Sequence, residues 1–267
     1  MDPMASQEKN VMKNEFGWEI PYETVPLPSQ GIIYNPDTTL YNTDVLQIKA
    51  MTAKEEDILS SQAFMKEGTV IENLLKSCLI DKSFDVNDLI AGDRNALMIS
   101  IRITGYGSDY NMTHSCSHCG HSNKVTAKLS ELGIKRISTK PIEPGKNLFE
   151  FVLPVTGKKI KYKFMTGHDD KEEETKQKRR EALGFKVDNK VTSFLENVIV
   201  EVDGITDKNK ITHFVRNMPA MDSRKLRLHI NENEPGIDMS WEYSCSSCTG
   251  NNKIGLPITT EFFWPTT

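Results

Sequence analysis

The chain has 267 residues, of which 37% are apolar and 26% charged, and this composition excludes a wholly disordered protein. Its formal charge of −4 argues against a dedicated duplex binder, because such proteins carry a large positive surplus. Apolar runs, such as residues 96–99, are far shorter than the ~20 residues that cross a bilayer, so no membrane span is expected. Residues 1–10 do not resemble a signal peptide, and we expect folding in a reducing cytosol.

Residues 1–50 are rich in Pro, Gly, Asn and Thr and predict an extended N-terminal arm. Each proline biases the residue before it to an extended conformation, so the segment 20–31 is not expected to be helical. The arm has too little apolar periodicity for a core of its own. We therefore expect it to become ordered on a partner or on a neighbouring copy.

Helical signals follow the arm. Capping boxes at residues 52–55 and 69–72 predict two successive helices, and Asp85 predicts a short helical turn. Asp93 is expected to cap a helix over residues 94–103. Because that segment is apolar almost all round, we expect it to be the central buried helix.

Four of the five cysteines form two C-x-x-C pairs in matching sequence frames. The pairs are Cys116 with Cys119 and Cys245 with Cys248, and both segments fit C-S-x-C-x-x-x-N-K-[V/I]. Two such turns face to face supply four sulfurs in a tetrahedron, which is the geometry of a closed structural zinc site. The sequence therefore predicts Zn²⁺ as a cofactor of these four residues. The fifth cysteine, Cys78, is expected in the core.

Other interpretations of the cysteines stay open. A C-x-x-C pair can be a redox dithiol, although redox motifs usually occur once and before a helix. The thiols can also be free, in a degenerate site without metal. Each pair can instead have its own site, and His114, His118 and His121 surround the first pair. The second pair has no nearby histidine, which favours one shared site and makes the histidines polar surface.

Between the two cysteine pairs, residues 148–154 and 159–165 predict a hairpin. Residues 169–182 are strongly charged, with acids and bases at i,i+4 spacing, and indicate a solvated helix rather than a basic binding patch. Three further helices are predicted, at residues 190–200, 208–217 and 222–232, the last capped by Asp222.

The predicted fold class is α+β: a mainly helical domain with short antiparallel strands and a zinc-ribbon-like element built from the two distant C-x-x-C knuckles. We divide the chain into the arm of residues 1–50 and a single α+β domain over 51–267. The ribbon comprises about 110–126 and 238–256, and it encloses an inserted region of about 127–237.

Three adjacent aromatic residues, Phe262, Phe263 and Trp264, lie near the end of the sequence. Pro265 favours an extended residue before it, so a strand is predicted, with Phe262 and Trp264 on one face and Phe263 on the other. We expect the three rings to bind a partner. The alternative is that all three belong to the core.

Signatures of catalysis are missing from the sequence. It contains no phosphate-binding glycine loop, no H-E-x-x-H and no convergent set of acid, base and nucleophile. The run of His168, Asp169 and Asp170 could suggest a metal or acid–base cluster, but we expect Asp169 or Asp170 to cap the charged helix that follows. We therefore expect no enzymatic activity and name no catalytic residue.

Several segments together carry a family resemblance. They are residues 27–34, 52–59, 92–97 and 102–107, both C-x-x-C knuckles and the ending at 262–265. In this order, the chain resembles the baseplate hub protein family of T-even-like contractile-tailed bacteriophages from about residue 25 onward. The resemblance implies a structural or assembly protein that binds other tail or hub proteins, first in the host cytoplasm and then in the virion tail.

The alternative function is a zinc-ribbon nucleic-acid-binding regulatory protein. A ribbon that binds nucleic acid normally has Lys, Arg and aromatic residues around its knuckles. Here Lys124 and Lys253 are the basic residues in the two knuckle segments, and their other neighbours are Ser, His, Gly, Asn and Thr. Binding of nucleic acid is therefore not expected.

Overall fold

A computed structural model describes residues 11–13, 17–184, 189–258 and 260–263. Within these residues the protein is α+β, as the sequence predicts. Eight α-helices are described: α1 Ala53–Ser60, α2 Gln62–Glu67, α3 Val70–Cys78, α4 Ala91–Tyr106, α5 Gly167–Ala182, α6 Lys190–Val198, α7 Lys208–Asn217 and α8 Ala220–Asn233. Short 3₁₀ helices cover Val86–Asp88, Leu129–Glu131 and Thr260–Phe263. No helix in the described part of the chain is long and apolar enough to cross a membrane.

The strands form small antiparallel sheets. They are β1 Val11–Lys13, β2 Glu19–Pro26, β3 Val45–Lys49, β4 Asp109–Ser115, β5 Ser122–Lys128, β6 Ile134–Lys135, β7 Phe149–Val152, β8 Lys159–Tyr162, β9 Ile199–Val202, β10 Gly236–Ile237, β11 Ser240–Ser244 and β12 Asn251–Gly255. The described sheets have the orders β1-β2-β3, β7-β8-β9, β4-β5, β11-β12 and β6-β10. Strand β6 follows the first cysteine hairpin and β10 precedes the second. Their pairing, with Ile134 opposite Ile237, therefore brings together the two segments that flank the cysteine pairs.

Helix α4 lies at the centre of the core, as its apolar sequence predicts. Its start differs from the expectation, because the helix begins at Ala91 and Ile90 is its N-cap residue. Asp93 caps nothing: its buried carboxylate accepts hydrogen bonds from the Ser29 N–H at 2.9 Å and from the Tyr34 hydroxyl at 2.5 Å. Asp93 thus fixes the N-terminal segment against α4. The buried apolar residues of α4 are Ala96, Leu97, Met98, Ile99 and Ile101.

The segment from residue 25 to residue 50 packs on this chain's own core. In β3, Leu46 and Ile48 are buried while Val45 and Gln47 are exposed, which is the two-residue period of a half-buried strand. The expectation that the arm orders on a partner or a copy is therefore wrong for residues 25–50. Seven of their side chains join the core: Val25, Leu27, Ile33, Tyr34, Leu40, Leu46 and Ile48. The division of the chain at residue 50 stays a prediction.

Two of the predicted helix caps have other roles. The box expected at residues 69–72 does not form, since Thr69 makes no side-chain cap and Glu72 pairs with Lys76 at 2.5 Å and with Lys171 of α5. Asp222 lies inside α8, which begins at Ala220, and its carboxylate accepts hydrogen bonds from the turn between β7 and β8. Both acids join elements that are distant in sequence.

Helix α5 is the solvated charged helix that the sequence predicts. Of its residues, Gly167 is the buried one, and the expected i,i+4 pairs form between Glu172 and Lys176 at 2.9 Å and between Glu174 and Lys178 at 2.7 Å. Its contacts with the rest of the protein are therefore largely polar.

The capping box at the start of α1 forms as predicted, and Glu55 is its buried acid. The carboxylate accepts hydrogen bonds from the Thr52 N–H at 2.8 Å, the Ser77 hydroxyl at 2.5 Å and the Lys49 ammonium at 2.9 Å. Burial alone would raise the pKa of Glu55, but the bonds from Ser77, Thr52 and Lys49 outweigh it and lower the pKa to about 2.

Replacing Glu55 by glutamine is expected to lower the free energy of unfolding by about 1–3 kcal/mol near neutral pH. The pKa of Glu55 in the folded protein lies below the ordinary value of 4.5. The stability that the ionised carboxylate contributes is therefore complete above pH 4.5 and is lost as the pH falls toward 2. Urea unfolding at neutral and acidic pH measures this effect. The difference in the free energy of unfolding between the wild type and Glu55→Gln should become smaller in acid. Asp57→Asn, at an exposed position of α1, is the control. A difference independent of pH would contradict the role given to Glu55.

Candidate metal centre

Each C-x-x-C pair lies in the turn of a two-stranded hairpin. The first turn joins β4 to β5 and the second joins β11 to β12. Both turns close in the same way, with the Cys116 N–H bonded to the His121 carbonyl at 2.8 Å and the Cys245 N–H to the Gly250 carbonyl at 3.0 Å. The sequence repeat is thus a structural repeat of two knuckles.

The knuckles face each other and bring the four predicted sulfurs together. All four Sγ atoms lie within 4.8 Å of one another. The Sγ distance is 3.7 Å from Cys116 to Cys248 and 3.8 Å from Cys119 to Cys245. A tetrahedron with Zn–S bonds of ~2.3 Å has S–S edges of about 3.8 Å, and these two separations match such edges. The four cysteines therefore form one cluster that can hold a single metal ion.

Two asparagines link the knuckles reciprocally. The Asn123 amide, from the first hairpin, donates to the Cys245 sulfur at 3.5 Å, and its oxygen accepts from the Ser246 N–H at 2.9 Å. Asn252 is the equivalent residue of the second hairpin and makes the reciprocal contacts. Its amide donates to the Cys116 sulfur at 3.4 Å, and its side-chain oxygen accepts from the Ser117 N–H at 2.9 Å. Both asparagines are the N of the repeated N-K pair. The repeat contained this signal, although it predicted no role for them.

Hydrogen bonds favour thiolates at the two buried sulfurs. The backbone N–H groups of Cys248 and Ser247 and the Asn123 amide lower the pKa of Cys245 to about 6. At Cys116, desolvation raises the pKa of the thiol. The hydrogen bonds to its sulfur lower that pKa by more, so the net shift is again downward. The pKa of Cys248 is raised to about 12: the Gly250 N–H lowers it, but the adjacent sulfurs raise it more. A bound cation would relieve this repulsion between sulfurs.

The three histidines near the first pair are not part of the thiol cluster. His114 Nδ1 lies 2.9 Å from the Tyr243 hydroxyl, and these residues occupy equivalent positions in the two hairpins. His118 Nε2 lies 3.1 Å from the Asn251 carbonyl oxygen. His121 is exposed. Two of the histidines therefore help to join the hairpins, and the polar-surface interpretation fits His121.

The knuckles differ at the residue after the second cysteine. Gly120 has φ 73° there and Thr249 has φ 58°, a left-handed conformation that is strained for a β-branched residue. Thr249→Gly is therefore expected to raise the free energy of unfolding by up to about 1 kcal/mol. Gly120→Ala should lower it by about 1–2 kcal/mol through backbone strain alone, because an added Cβ would have no neighbour within 4 Å. Urea unfolding of both variants measures these shifts, and a destabilised Thr249→Gly would contradict them.

The C-terminal aromatic segment is helical where described. Thr260–Phe263 forms a 3₁₀ helix, so the predicted strand is wrong there, and both Phe262 and Phe263 have no exposed surface. The Phe262 ring lies 5.2 Å from that of Tyr110, and the Phe262 carbonyl accepts a hydrogen bond from Arg102 Nε at 3.0 Å. The two phenylalanines thus belong to the core, which was the alternative. Trp264 lies outside the described residues, and a partner contact through this segment stays a prediction.

Comparison with known proteins agrees with the resemblance seen in the sequence. A family model described as "T4 bacteriophage base plate protein" matches residues 24–264, which includes both knuckles, the core helix α4 and the aromatic segment. No curated protein and no solved structure matches the chain. The match indicates a component of the phage tail with a structural role. Since the family model covers most of the sequence, this chain belongs to the T4 bacteriophage base plate protein family.

Proposed function

We propose that the protein is a structural or assembly component of the baseplate hub, that it binds other tail proteins, and that its four cysteines hold one structural Zn²⁺. Family membership supports the place in the baseplate. The observation that carries the zinc assignment is the thiol cluster, in which Cys116 and Cys248 come within 3.7 Å across a sequence separation of 132 residues. Such a site cross-links the protein.

The donor set favours zinc in a structural role. Four thiolates are soft ligands, and a closed tetrahedral Cys₄ set is typical of structural zinc. Catalytic zinc sites keep one position open for water or substrate, and four sulfurs at these separations would fill the coordination sphere. We therefore propose a site that stabilises the fold, in a protein without enzymatic activity.

Co-expression with the other tail proteins of the same phage tests this function. The purified complex should contain this chain with at least one other baseplate protein, and elemental analysis should give one zinc per chain. Immunoblotting of purified virions should detect the chain in the tail, after assembly in the host cytoplasm. Failure to bind any tail protein would overturn the hub role. Tight binding to a DNA duplex with a steep salt dependence would favour the nucleic-acid-binding alternative.

A further inference from the structure

One face of helix α8 is exposed and combines apolar with basic side chains. Met221 and Leu228 are 51% and 41% exposed, and Arg224 and Lys225, which lie between them, are exposed as well. Their spacing of i, i+3, i+4 and i+7 places all four on one side of the helix. The other side of α8 packs inward through Asp222, Leu226 and Ile230.

The turn between β7 and β8 is hydrogen-bonded to the start of α8. Asp222, in the first turn of α8, accepts hydrogen bonds from the Val155 N–H at 2.8 Å and the Thr156 N–H at 3.0 Å. These bonds hold the turn against the first turn of α8, and Val155 is itself 59% exposed. Val155, Met221, Arg224, Lys225 and Leu228 are named here the α8 surface.

The cations of the α8 surface have no acidic partner among the residues that the structure describes. Within the described residues, neither Arg224 nor Lys225 makes an ion pair or a side-chain hydrogen bond, although the protein carries a net charge of −4. Four lysines in or next to the β7–β8 hairpin are all paired: Lys158 with Asp203, Lys159 with Glu150, Lys161 with Glu201 and Lys163 with Asp169. The two cations on α8 are thus available to carboxylates from outside the chain.

We propose that the α8 surface binds an acidic amphipathic segment of another tail protein. The proposal rests on the proposed function, in which the chain binds other tail proteins. Apolar side chains of that segment would cover Val155, Met221 and Leu228, and its Asp or Glu residues would pair with Arg224 and Lys225. Nucleic acid fits this surface less well, because the exposed apolar side chains offer nothing to phosphate groups.

Co-purification with variants tests the surface. We expect Leu228→Glu and the double variant Arg224→Glu/Lys225→Glu each to lower recovery of the partner tail protein by about tenfold or more. Because the altered side chains are exposed, the melting temperature and the zinc content should stay unchanged. Leu183→Glu is the matched control, since Leu183 is 75% exposed just beyond the end of α5, and it should recover the partner like the wild type.

A photo-reactive amino acid in place of Leu228 identifies the occupant during assembly. The expected cross-linked peptide, identified by mass spectrometry, comes from another tail protein and contains Asp or Glu next to apolar residues. A cross-link to a second copy of this chain, or salt-sensitive DNA binding that Arg224→Glu abolishes, would overturn the proposal. So would normal recovery of the partner by both variants, and the hub role would then still stand. If the wild type recovers no tail protein, the hub role and the surface fail together.

Discussion

Replacing Cys248 by serine is expected to remove the proposed Zn²⁺ and to lower the free energy of unfolding by on the order of 5 kcal/mol. The site joins segments 132 residues apart, so a bound ion restricts the unfolded chain as a cross-link on a long loop does. Three remaining sulfurs would also leave the coordination sphere incomplete. Elemental analysis and chemical denaturation measure both effects.

Chelation supplies an independent test of the same cross-link. Removing the metal from the wild type should cause a similar loss of stability, and the chelator should have no further effect on Cys248→Ser. Cys78→Ala is the control, because Cys78 is buried in α3 outside the cluster and its variant should keep one zinc. Full zinc in Cys248→Ser, or no zinc or two zincs per wild-type chain, would contradict a single shared site.

Local sequence signals predicted the parts of this protein that depend on short-range geometry. The two C-x-x-C turns, the β7–β8 hairpin and helix α7 follow from patterns that lie within a few residues of one another. The thiol cluster followed from the repeat of one such pattern. Its distant halves were matched through the repeat, without any need to predict the path of the chain between them.

The acidic residues show why the rest was not predictable. Asp93 and Asp222 both lie near helix starts, where an acid usually indicates a cap. Asp93 instead binds Ser29, 64 residues away, and Tyr34. Asp222 binds the turn at Val155, 67 residues away. Nothing in the local sequence distinguishes a cap from a buried acid with such partners. The same limit applied to residues 25–50, whose core contacts are mostly long-range.

Truncating Phe262 to alanine is expected to lower the free energy of unfolding by about 3–5 kcal/mol. The ring has no exposed surface and packs on Tyr110 and on Phe263, where the centroid distance is 5.4 Å. The backbone of this segment also contributes to stability, because the buried Arg102 donates a hydrogen bond to the Phe262 carbonyl at 3.0 Å. Loosening the segment would leave part of that guanidinium without a partner.

Urea unfolding of Phe262→Ala, Phe263→Ala and Trp264→Ala separates a core role from a partner contact. Both phenylalanine variants should be strongly destabilised, whereas Leu183→Ala, at an exposed position, should change stability by less than about 0.5 kcal/mol. The predicted partner contact requires one variant, Trp264→Ala, that keeps its melting temperature but loses the tail complex. If Phe262→Ala is as stable as the wild type, the aromatic segment does not belong to the core. If Trp264→Ala both folds and assembles normally, the segment serves the core alone.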